Sequence, residues 1–374
     1  MAHHGARIGL DDVVVLLTDL EQRVLVPFRG DRPPASVAAA ESRPIDGSRA
    51  GRAYRTERPV VGDRVEGRTT VWMPLLDSAE RLGVLAASTT RVVDDHALGA
   101  FAAFASLVAE VVANKSGYGD AVVRTRQARP LTLSAELRWS MLPPLTFTGR
   151  NVTISGVLEP AYEIGGDTFD YAVNGSGAHL AIIDAVGHGL EAARIANLAV
   201  AAFREGRRRD LDLPGLYGAM DAALAGEFGV EKFATAHLAT LALDTGRLRW
   251  INAGHPAPLV LRQGHPLHLM AEPDLPLGLA EPDTTPATRT LDLEPGDLLL
   301  LFTDGVVEAR SVDGEEFGRD RLVDLLVRAG SAAQTPAETV RRLAHAVLDH
   351  QEGVLQDDGT LLLVVWHGPP APWR

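Results

Sequence analysis

The chain has 374 residues, of which 46% are apolar and 23% charged, with a formal net charge of -13 and no cysteine. This length favours two domains, and the acidic balance argues against nucleic acid or an anionic membrane as the main partner. The lack of cysteine excludes disulfides, thiolate metal sites and a cysteine nucleophile. We expect no apolar run of transmembrane length and no signal peptide, which predicts a cytoplasmic protein.

The first part of the chain reads as two pairs of strands with helices between and after them. Alternating apolar residues predict strands at 12–17, 22–26, 70–76 and 81–87. Apolar stripes predict helices at 51–58 and 94–115. A Pro-, Ala- and Ser-rich loop is predicted over 33–48. This order resembles a GAF-type sensor domain, most closely in the segments 51–60 and 82–85. The resemblance implies a small α/β domain over residues 1–115 that binds a small ligand or a partner protein.

Residues 116–150 are predicted to be a helical linker. A helix over 121–129 is interrupted by Pro130, which removes a backbone donor, and an amphipathic helix follows over 131–142. Two interpretations stay open, a plain linker packed on its neighbour and a helix that transmits a signal between domains. A homodimer formed through the helices near Leu107 and Leu137 is a further hypothesis.

The second domain, 151–374, is predicted to be rich in antiparallel strands. Strands are expected at 151–161, 168–173, 178–184, 234–244, 247–253, 258–262, 268–271, 288–293, 297–303 and 360–367, and helices at 190–209, 214–228, 320–329 and 336–350. Many antiparallel strands with paired helices predict an α+β fold in which sheets lie inside and helices outside.

Carboxylates recur at the ends of these predicted strands. Asp167 follows a Gly-Gly turn, Asp184 ends an apolar strand, Asp304 follows another, and Asp357 and Asp358 precede the last one. For each aspartate alone, turn chemistry is the simpler explanation. Together they would repel one another unless a cation neutralised them, so the sequence favours a divalent metal centre.

The second domain resembles the metal-dependent protein phosphatases of the PPM class, in their bacterial SpoIIE-type branch. The matching motifs are, in order, Ile164-Gly-Gly-Asp-Thr-Phe-Asp170, Asp184-Ala-Val-Gly-His-Gly189, Phe233-Ala-Thr-Ala236, Asn252-Ala-Gly-His-Pro-Ala-Pro-Leu259, Pro276-Leu-Gly-Leu279, Phe302-Thr-Asp-Gly-Val-Val-Glu-Ala309 and Asp357-Asp358. The segment Leu137-Arg-Trp-Ser-Met-Leu-Pro-Pro144 resembles the leader that precedes this domain. The resemblance implies an α-β-β-α sandwich of two antiparallel sheets flanked by helices.

The resemblance also implies a two-metal site for Mn²⁺ or Mg²⁺. Asp184 would bridge both ions, the Ala185 carbonyl would bind one, Asp304 and Asp357 would bind the other, and Asp167 would bind directly or through water. Metal-activated water would then hydrolyse phosphoserine or phosphothreonine on a regulatory protein such as an anti-sigma-factor antagonist.

Two other function classes compete with this interpretation. One is a non-catalytic signalling protein whose phosphatase-like domain binds a partner, against which the retained cluster of acids argues. The other is a metallohydrolase of small phosphoesters. His188 and His255 are interpreted as structural residues that cap a helix start and a loop, and 207–209 as a solvated helix end.

Overall fold

The computed structural model describes residues 2–28, 41–163, 165–267, 269, 272–281, 284–353 and 356–369. The chain divides into two compact units, Met1–Pro130 and Leu131–Arg374. The predicted strand 268–271 lies outside the described residues except for residue 269. Of the predicted loop 33–48, the part 33–40 also lies outside them. The extents of the sensor domain, the linker and the phosphatase domain stay predictions.

An antiparallel sheet forms the centre of the first unit. Its strands are β1 (Asp11–Thr18), β2 (Val24–Pro27), β3 (Arg43–Pro44), β4 (Val60–Val65), β5 (Arg68–Asp77) and β6 (Glu80–Thr89). Among the described residues they lie in the order β3-β2-β1-β6-β5-β4. The predicted alternation is clearest in β5, where Val71, Met73 and Leu75 are fully buried because successive side chains of a strand point to opposite faces.

The helices of this unit are α1 (Ala2–Arg7), α2 (Arg49–Thr56), α3 (Asp95–Ser116) and α4 (Ala121–Arg126). Helix α3 begins after Asp94, whose carboxylate accepts the Ala97 N–H at 2.8 Å and so caps the helix. It is long and apolar enough, by length and composition alone, to cross a membrane, and it is the single such helix in the described part of the chain. This corrects the expectation that no run reaches that length. The criterion is also met by core helices, and Phe101, Val108 and Val112 of α3 are buried against the sheet.

The predicted linker is divided between the two units. Helix α4 is bonded to the first unit, where the Arg126 carbonyl accepts the Leu20 N–H at 3.1 Å and the Arg126 Nε donates to the Thr18 carbonyl at 3.1 Å. Helix α5 (Leu133–Met141) is bonded to the second unit, since Trp139 Nε1 donates to the Ala161 carbonyl at 2.9 Å.

Two antiparallel sheets form the second unit. Their strands are β7 (Thr146–Thr148), β8 (Val152–Glu159), β9 (Asp167–Asn174), β10 (Gly177–Ala185), β11 (Ala234–Ala242), β12 (Arg247–Ala253), β13 (Leu259–Arg262), β14 (His265–Leu267), β15 (Arg289–Asp292), β16 (Leu298–Phe302) and β17 (Gly359–Trp366). In the described residues one sheet has the order β15-β12-β11-β10-β9, and the other has the order β14-β13-β16-β17-β8-β7.

The two sheets pack face to face and helices cover their outer faces. The helices are α6 (Gly189–Arg208), α7 (Leu213–Phe228), α8 (Asp304–Val307), α9 (Arg319–Ser331) and α10 (Pro336–His350). One apolar cluster fills the space between the sheets, a second joins α6 and α7 to the first sheet, and a third joins α9 and α10 to the other sheet. The predicted α-β-β-α sandwich is therefore confirmed.

The end of helix α6 differs from the predicted solvated end. Arg207 donates to the buried carboxylate of Asp170 at 2.8 Å, and Arg204 donates to the same carboxylate at 2.7 Å. Arg209 does lie in solvent, where it pairs with Glu205. Arg204 and Arg207 are three residues apart, so both side chains lie on the face of the helix that meets strand β9. The sequence around them does not indicate that this face is buried.

Candidate metal centre

Asp167 and Asp184 lie opposite each other on the paired strands β9 and β10. Asp167 is almost fully buried, and Thr303 Oγ1 donates to its Oδ2 at 2.6 Å. The same Thr303 oxygen accepts the Thr360 N–H at 3.0 Å. Since Thr360 lies in β17 of the second sheet and Thr303 directly follows β16 of that sheet, one hydroxyl group connects the two sheets beside the carboxylates.

The turn before β9 must contain glycine because it touches the end of β10. A Cβ atom on Gly166 would lie 1.9 Å from the Ala185 carbonyl oxygen. The Ala185 N–H also donates to the Gly166 carbonyl at 3.2 Å. This contact brings Asp167 beside the end of the strand that carries Asp184 and Ala185.

The other three aspartates come from the second sheet. Asp304 is the first residue of α8, two positions after the end of β16, and Asp357 and Asp358 precede β17. The Asp358 carboxylate is buried and accepts the Gly165 N–H at 2.8 Å and the Asp167 N–H at 3.2 Å. Asp357 is exposed and its Oδ1 accepts the Asp358 N–H at 2.8 Å. Asp358 therefore supports the turn, whereas Asp357 remains accessible to a ligand.

The carboxylates interact as one cluster of charge. Burial, followed by the negative charges of Asp304, Asp357 and Asp358, raises the pKa of Asp184 to about 7, and a hydrogen bond with Asp167 opposes the change. Burial raises the pKa of Asp167 well above its usual range, with added repulsion from Asp184 and Asp358. Burial and then Asp357 raise the pKa of Asp304. A bound cation would relieve this repulsion.

The donor chemistry fits a hard divalent ion. Carboxylate and carbonyl oxygens are the ligands that Mg²⁺ and Mn²⁺ prefer, and the structure brings together the predicted residues, which are Asp167, Asp184, Ala185, Asp304 and Asp357. Among the residues that the structure describes, no group of three or more His, Asp or Glu side chains lies in an arrangement that could hold a metal ion by itself. The ligand roles of these residues stay predictions.

The histidines and one arginine complete the surroundings of the site. His188 occupies the first cap position of α6, but its side chain is exposed and makes no capping hydrogen bond. His255 is buried, with its ring Nδ1 2.7 Å from Thr235 Oγ1. The backbone N–H of His255 donates to Asn252 Oδ1 at 2.8 Å. Arg138 was absent from the predicted site and lies fully buried near the acids. The one sequence signal was its place in the leader segment.

The sequence of the second unit matches a known family. The family model of Stage II sporulation protein E (SpoIIE) matches residues 174–367, more than half of the chain. The chain belongs to the SpoIIE family. The matched range includes Asp184, Asp304 and Asp357, whereas Asp167 precedes it.

Two curated relatives of this SpoIIE-family chain cover different shares of it. Protein IcfG of Synechocystis is 31% identical over 134 residues, which is 36% of this chain and 20% of IcfG. The phosphoserine phosphatase RsbU of Bacillus subtilis is 22% identical over 237 residues, which is 63% of this chain and 69% of RsbU. The chain thus spans only about a fifth of the length of IcfG.

Solved structures share the fold of the SpoIIE-family unit. The RsbU and RsbW domains of a Mycobacterium tuberculosis protein are 26% identical, with a TM-score of 0.52, over 60% of this chain and 64% of that chain. The SiaA PP2C domain of Pseudomonas aeruginosa is 21% identical, with a TM-score of 0.52, over 62% of this chain and 94% of that domain. The PP2C domain with a regulatory fragment of SpoIIE from Bacillus subtilis is 13% identical, with a TM-score of 0.51, over 83% of this chain and 82% of that chain.

Proposed function

We propose that the protein is a metal-dependent serine/threonine protein phosphatase. The observation that carries the proposal is the cluster of interacting carboxylates that two sheets bring to one end of the sandwich. Such a cluster is costly to bury without a cation. Family membership and the name of RsbU, a phosphoserine phosphatase, support the same reaction.

In this proposal Asp184 would be a ligand shared by two Mn²⁺ or Mg²⁺ ions, and the Ala185 carbonyl would be a ligand of one of them. Asp304 and Asp357 would hold the other ion, and Asp167 would bind directly or through water. When bound, the ions supply a hydroxide nucleophile at neutral pH and offset charge on the phosphoryl oxygens. Burial of Asp167 and its bond from Thr303 keep that carboxylate in one orientation, which favours a fixed site for the phosphoryl group.

The proposed substrate is a small phosphorylated regulatory protein in the cytoplasm, of the kind that antagonises an anti-sigma factor. RsbU carries the name of a phosphoserine phosphatase, and the Mycobacterium tuberculosis structure joins an RsbU domain to an RsbW domain. The acidic balance of the chain is consistent with a protein partner rather than nucleic acid or an anionic membrane.

The decisive experiment measures hydrolysis of a generic aryl phosphate and of a phosphoserine protein, with and without Mn²⁺. We expect turnover only with metal, and a loss of at least 100-fold in Asp184→Asn because one bridging ligand is removed. Asp292→Asn, an exposed aspartate on β15, is the matched control and should keep full activity. Metal-dependent turnover retained in Asp184→Asn would contradict the assignment.

We also infer that the first unit is a GAF-like sensor and that α3 joins two copies of the chain in parallel. The residues Ala100, Phe104, Leu107, Val111 and Asn114 follow one another at alternating spacings of four and three, as in a coiled-coil seam. Leu107 and Val111 are 66% and 54% exposed. No element within the described residues covers Leu107 and Val111, whereas Phe104 is partly packed against the core of the first unit.

Charge on the flanks of the stripe favours a second copy as the occupant. With this heptad phase, Glu110 stands at position g and Lys115 at the following position e. In a parallel dimer, position g of one helix pairs with the next position e of its partner. Both side chains are exposed, and neither has an ion-pair partner within the described chain.

Sedimentation velocity tests the dimer. We expect the wild type to be dimeric and Leu107→Glu to be monomeric, because a charge in the seam would be buried unpaired. Val65→Glu is the matched control, since Val65 is also 66% exposed but lies on β4, and should remain dimeric. A monomeric wild type that pellets with lipid vesicles would show a membrane surface as the occupant and overturn the dimer.

A further inference from the structure

Arg138 is a buried cation beside the candidate metal centre. Its side chain, on helix α5, is fully buried. Nη2 donates to the Gly165 carbonyl at 2.8 Å, while Nε and Nη1 have no hydrogen-bond partner among the described residues. Burying a guanidinium with so few partners is expensive unless nearby negative charge compensates it.

The compensating charges are those of the acid cluster. The carboxylates of Asp358, Asp167 and Asp184 act in this order on Arg138 and oppose the effect of burial, which lowers the pKa of Arg138 to about 10. The guanidinium is therefore protonated at neutral pH. Burial raises the pKa of Asp358. The hydrogen bonds from the backbone N–H groups of Gly165 and Asp167 oppose this rise most strongly, and the charge of Arg138 opposes it next.

Gly165 is bound from both sides as a result. Its carbonyl accepts from Arg138, and its N–H donates to both oxygens of Asp358, at 2.8 and 3.0 Å. A Cβ atom on Gly165 would lie 2.7 Å from Asp358 Oδ2, so a side chain there would displace the carboxylate. The next donor along, the Asp167 N–H, binds the same carboxylate at 3.2 Å. The position of Asp167 thus depends on groups from α5 and from the segment before β17.

We propose that Arg138 is a positioning residue of the metal centre, which acts through Gly165 and Asp358 to orient the turn that carries Asp167. The proposal rests on the proposed phosphatase function. Arg341 shows the contrast, since it is equally buried but pairs with Glu338 on its own helix α10.

Whether the affinity for Mn²⁺ falls or rises when Arg138 is replaced distinguishes a positioning role from a purely electrostatic one. Removing a nearby positive charge would by itself strengthen the binding of a cation. Loss of the turn's orientation would instead weaken binding, because Asp167 would leave its place among the ligands. A weaker affinity in Arg138→Met therefore reports positioning, and a stronger affinity reports charge.

The experiment compares Arg138→Met and Arg138→Lys with the matched control Arg341→Met. Mn²⁺ binding is measured by calorimetry, and amide exchange is measured in the peptide 160–170. For Arg138→Met we expect at least tenfold weaker Mn²⁺ binding and at least tenfold faster exchange in that peptide. Arg138→Lys should be intermediate because it keeps the charge but not the planar donor geometry. Arg341→Met should stay within twofold of the wild type in both measurements.

The outcomes separate this proposal from the proposed function. Unchanged exchange, or Mn²⁺ binding that is unchanged or tighter in Arg138→Met, overturns the positioning role even if the wild type is an active phosphatase. If the wild type hydrolyses no phosphoester, the function fails, while exchange in metal-free protein still decides the role of Arg138. Should Arg138→Met fail to fold, the exchange and affinity of Arg138→Lys decide it, with at least threefold changes expected.

Discussion

Thr303 connects the two sheets at the metal centre with one hydroxyl group. It donates to Asp167 at 2.6 Å and accepts from the Thr360 N–H at 3.0 Å. Its two partners, Asp167 and Thr360, are both buried, so neither can turn to water if the Thr303 hydroxyl group is lost. A buried group left without a partner costs more than the net value of the bond.

We therefore expect Thr303→Val to lower the free energy of unfolding by roughly 2 kcal/mol. Thr303→Ser is the control, because it keeps the hydroxyl group, and should lose less than half as much. Urea unfolding in the presence of a chelator measures both. Equal stability of the two variants would contradict the prediction, because loss of the hydroxyl group would then cost no more than loss of the methyl group.

His237 makes the second unit sensitive to acid. Its ring is fully buried, with Nε2 2.7 Å from the Pro256 carbonyl. Burial lowers the pKa of His237 from 6.5 to about 4. The folded state therefore binds fewer protons than the unfolded state between these values. The stability that depends on neutral His237 is fully present above pH 6.5 and is lost as the pH falls towards 4.

Between pH 7.5 and pH 5 we expect the wild type to lose about 2 kcal/mol more stability than His237→Gln. Glutamine can keep a donor towards Pro256 but does not titrate. Urea midpoints at the two pH values give the comparison. The control is His265→Gln, at an exposed position on β14, which should follow the wild type. Parallel losses in wild type and His237→Gln would contradict the prediction.

At the scale of elements, helix α6 is joined to strand β9 by charge as well as by apolar packing. Asp170 on β9 is 1% exposed and accepts from Arg204 and Arg207. Arg207 also stacks on Phe203 of the same helix, with its guanidinium 4.7 Å from the ring centre. The helix that follows Asp184 is thereby attached to the strand that begins with Asp167.

Asp170→Asn should destabilise the second unit by about 3 kcal/mol, because breaking a buried ion pair leaves a charge without compensation. Glu205→Gln is the matched control on the same helix. Its pair with Arg209 is exposed, and such pairs contribute less than about 1 kcal/mol. Chemical denaturation of both variants measures the difference, and similar losses would count against the structural role of Asp170.

At the scale of the whole molecule, the two units have separate cores. The clusters beside α2 and α3 contain residues of the first unit only, and the three clusters of the sandwich lie in the second. The boundary between Pro130 and Leu131 falls in the predicted linker. The second unit therefore contains its own core, its helix α5 and all the carboxylates of the metal centre.

A fragment of residues 131–374 should fold alone and bind Mn²⁺ within threefold of the affinity of the full chain. A shorter fragment, 143–374, lacks α5 and Arg138 and should bind at least tenfold more weakly. Calorimetry and thermal unfolding of both fragments test this. A 131–374 fragment that does not unfold cooperatively would show that the second unit depends on the first.

The sequence predicted most elements because their signals are local. Helix α10 was predicted at 336–350 and occurs there, since Thr335 caps it and Pro336 begins it. The elements that were not predicted, α1, β3, β4, β7, β14 and α8, are short or mostly exposed. A strand such as Val60–Val65, with one buried residue, has too little apolar alternation to be recognised.

The sequence by itself determined the acids, their glycines and their places at strand ends, because turn chemistry and strand periodicity act over a few residues. It also determined the family, because the motifs follow in a specific order. The tertiary structure alone decided which acid supports the turn and which stays accessible, and it alone brought Arg138 to Gly165 and Asp358. These contacts join segments separated by 27 and 193 residues, and no local pattern encodes a partner at that distance.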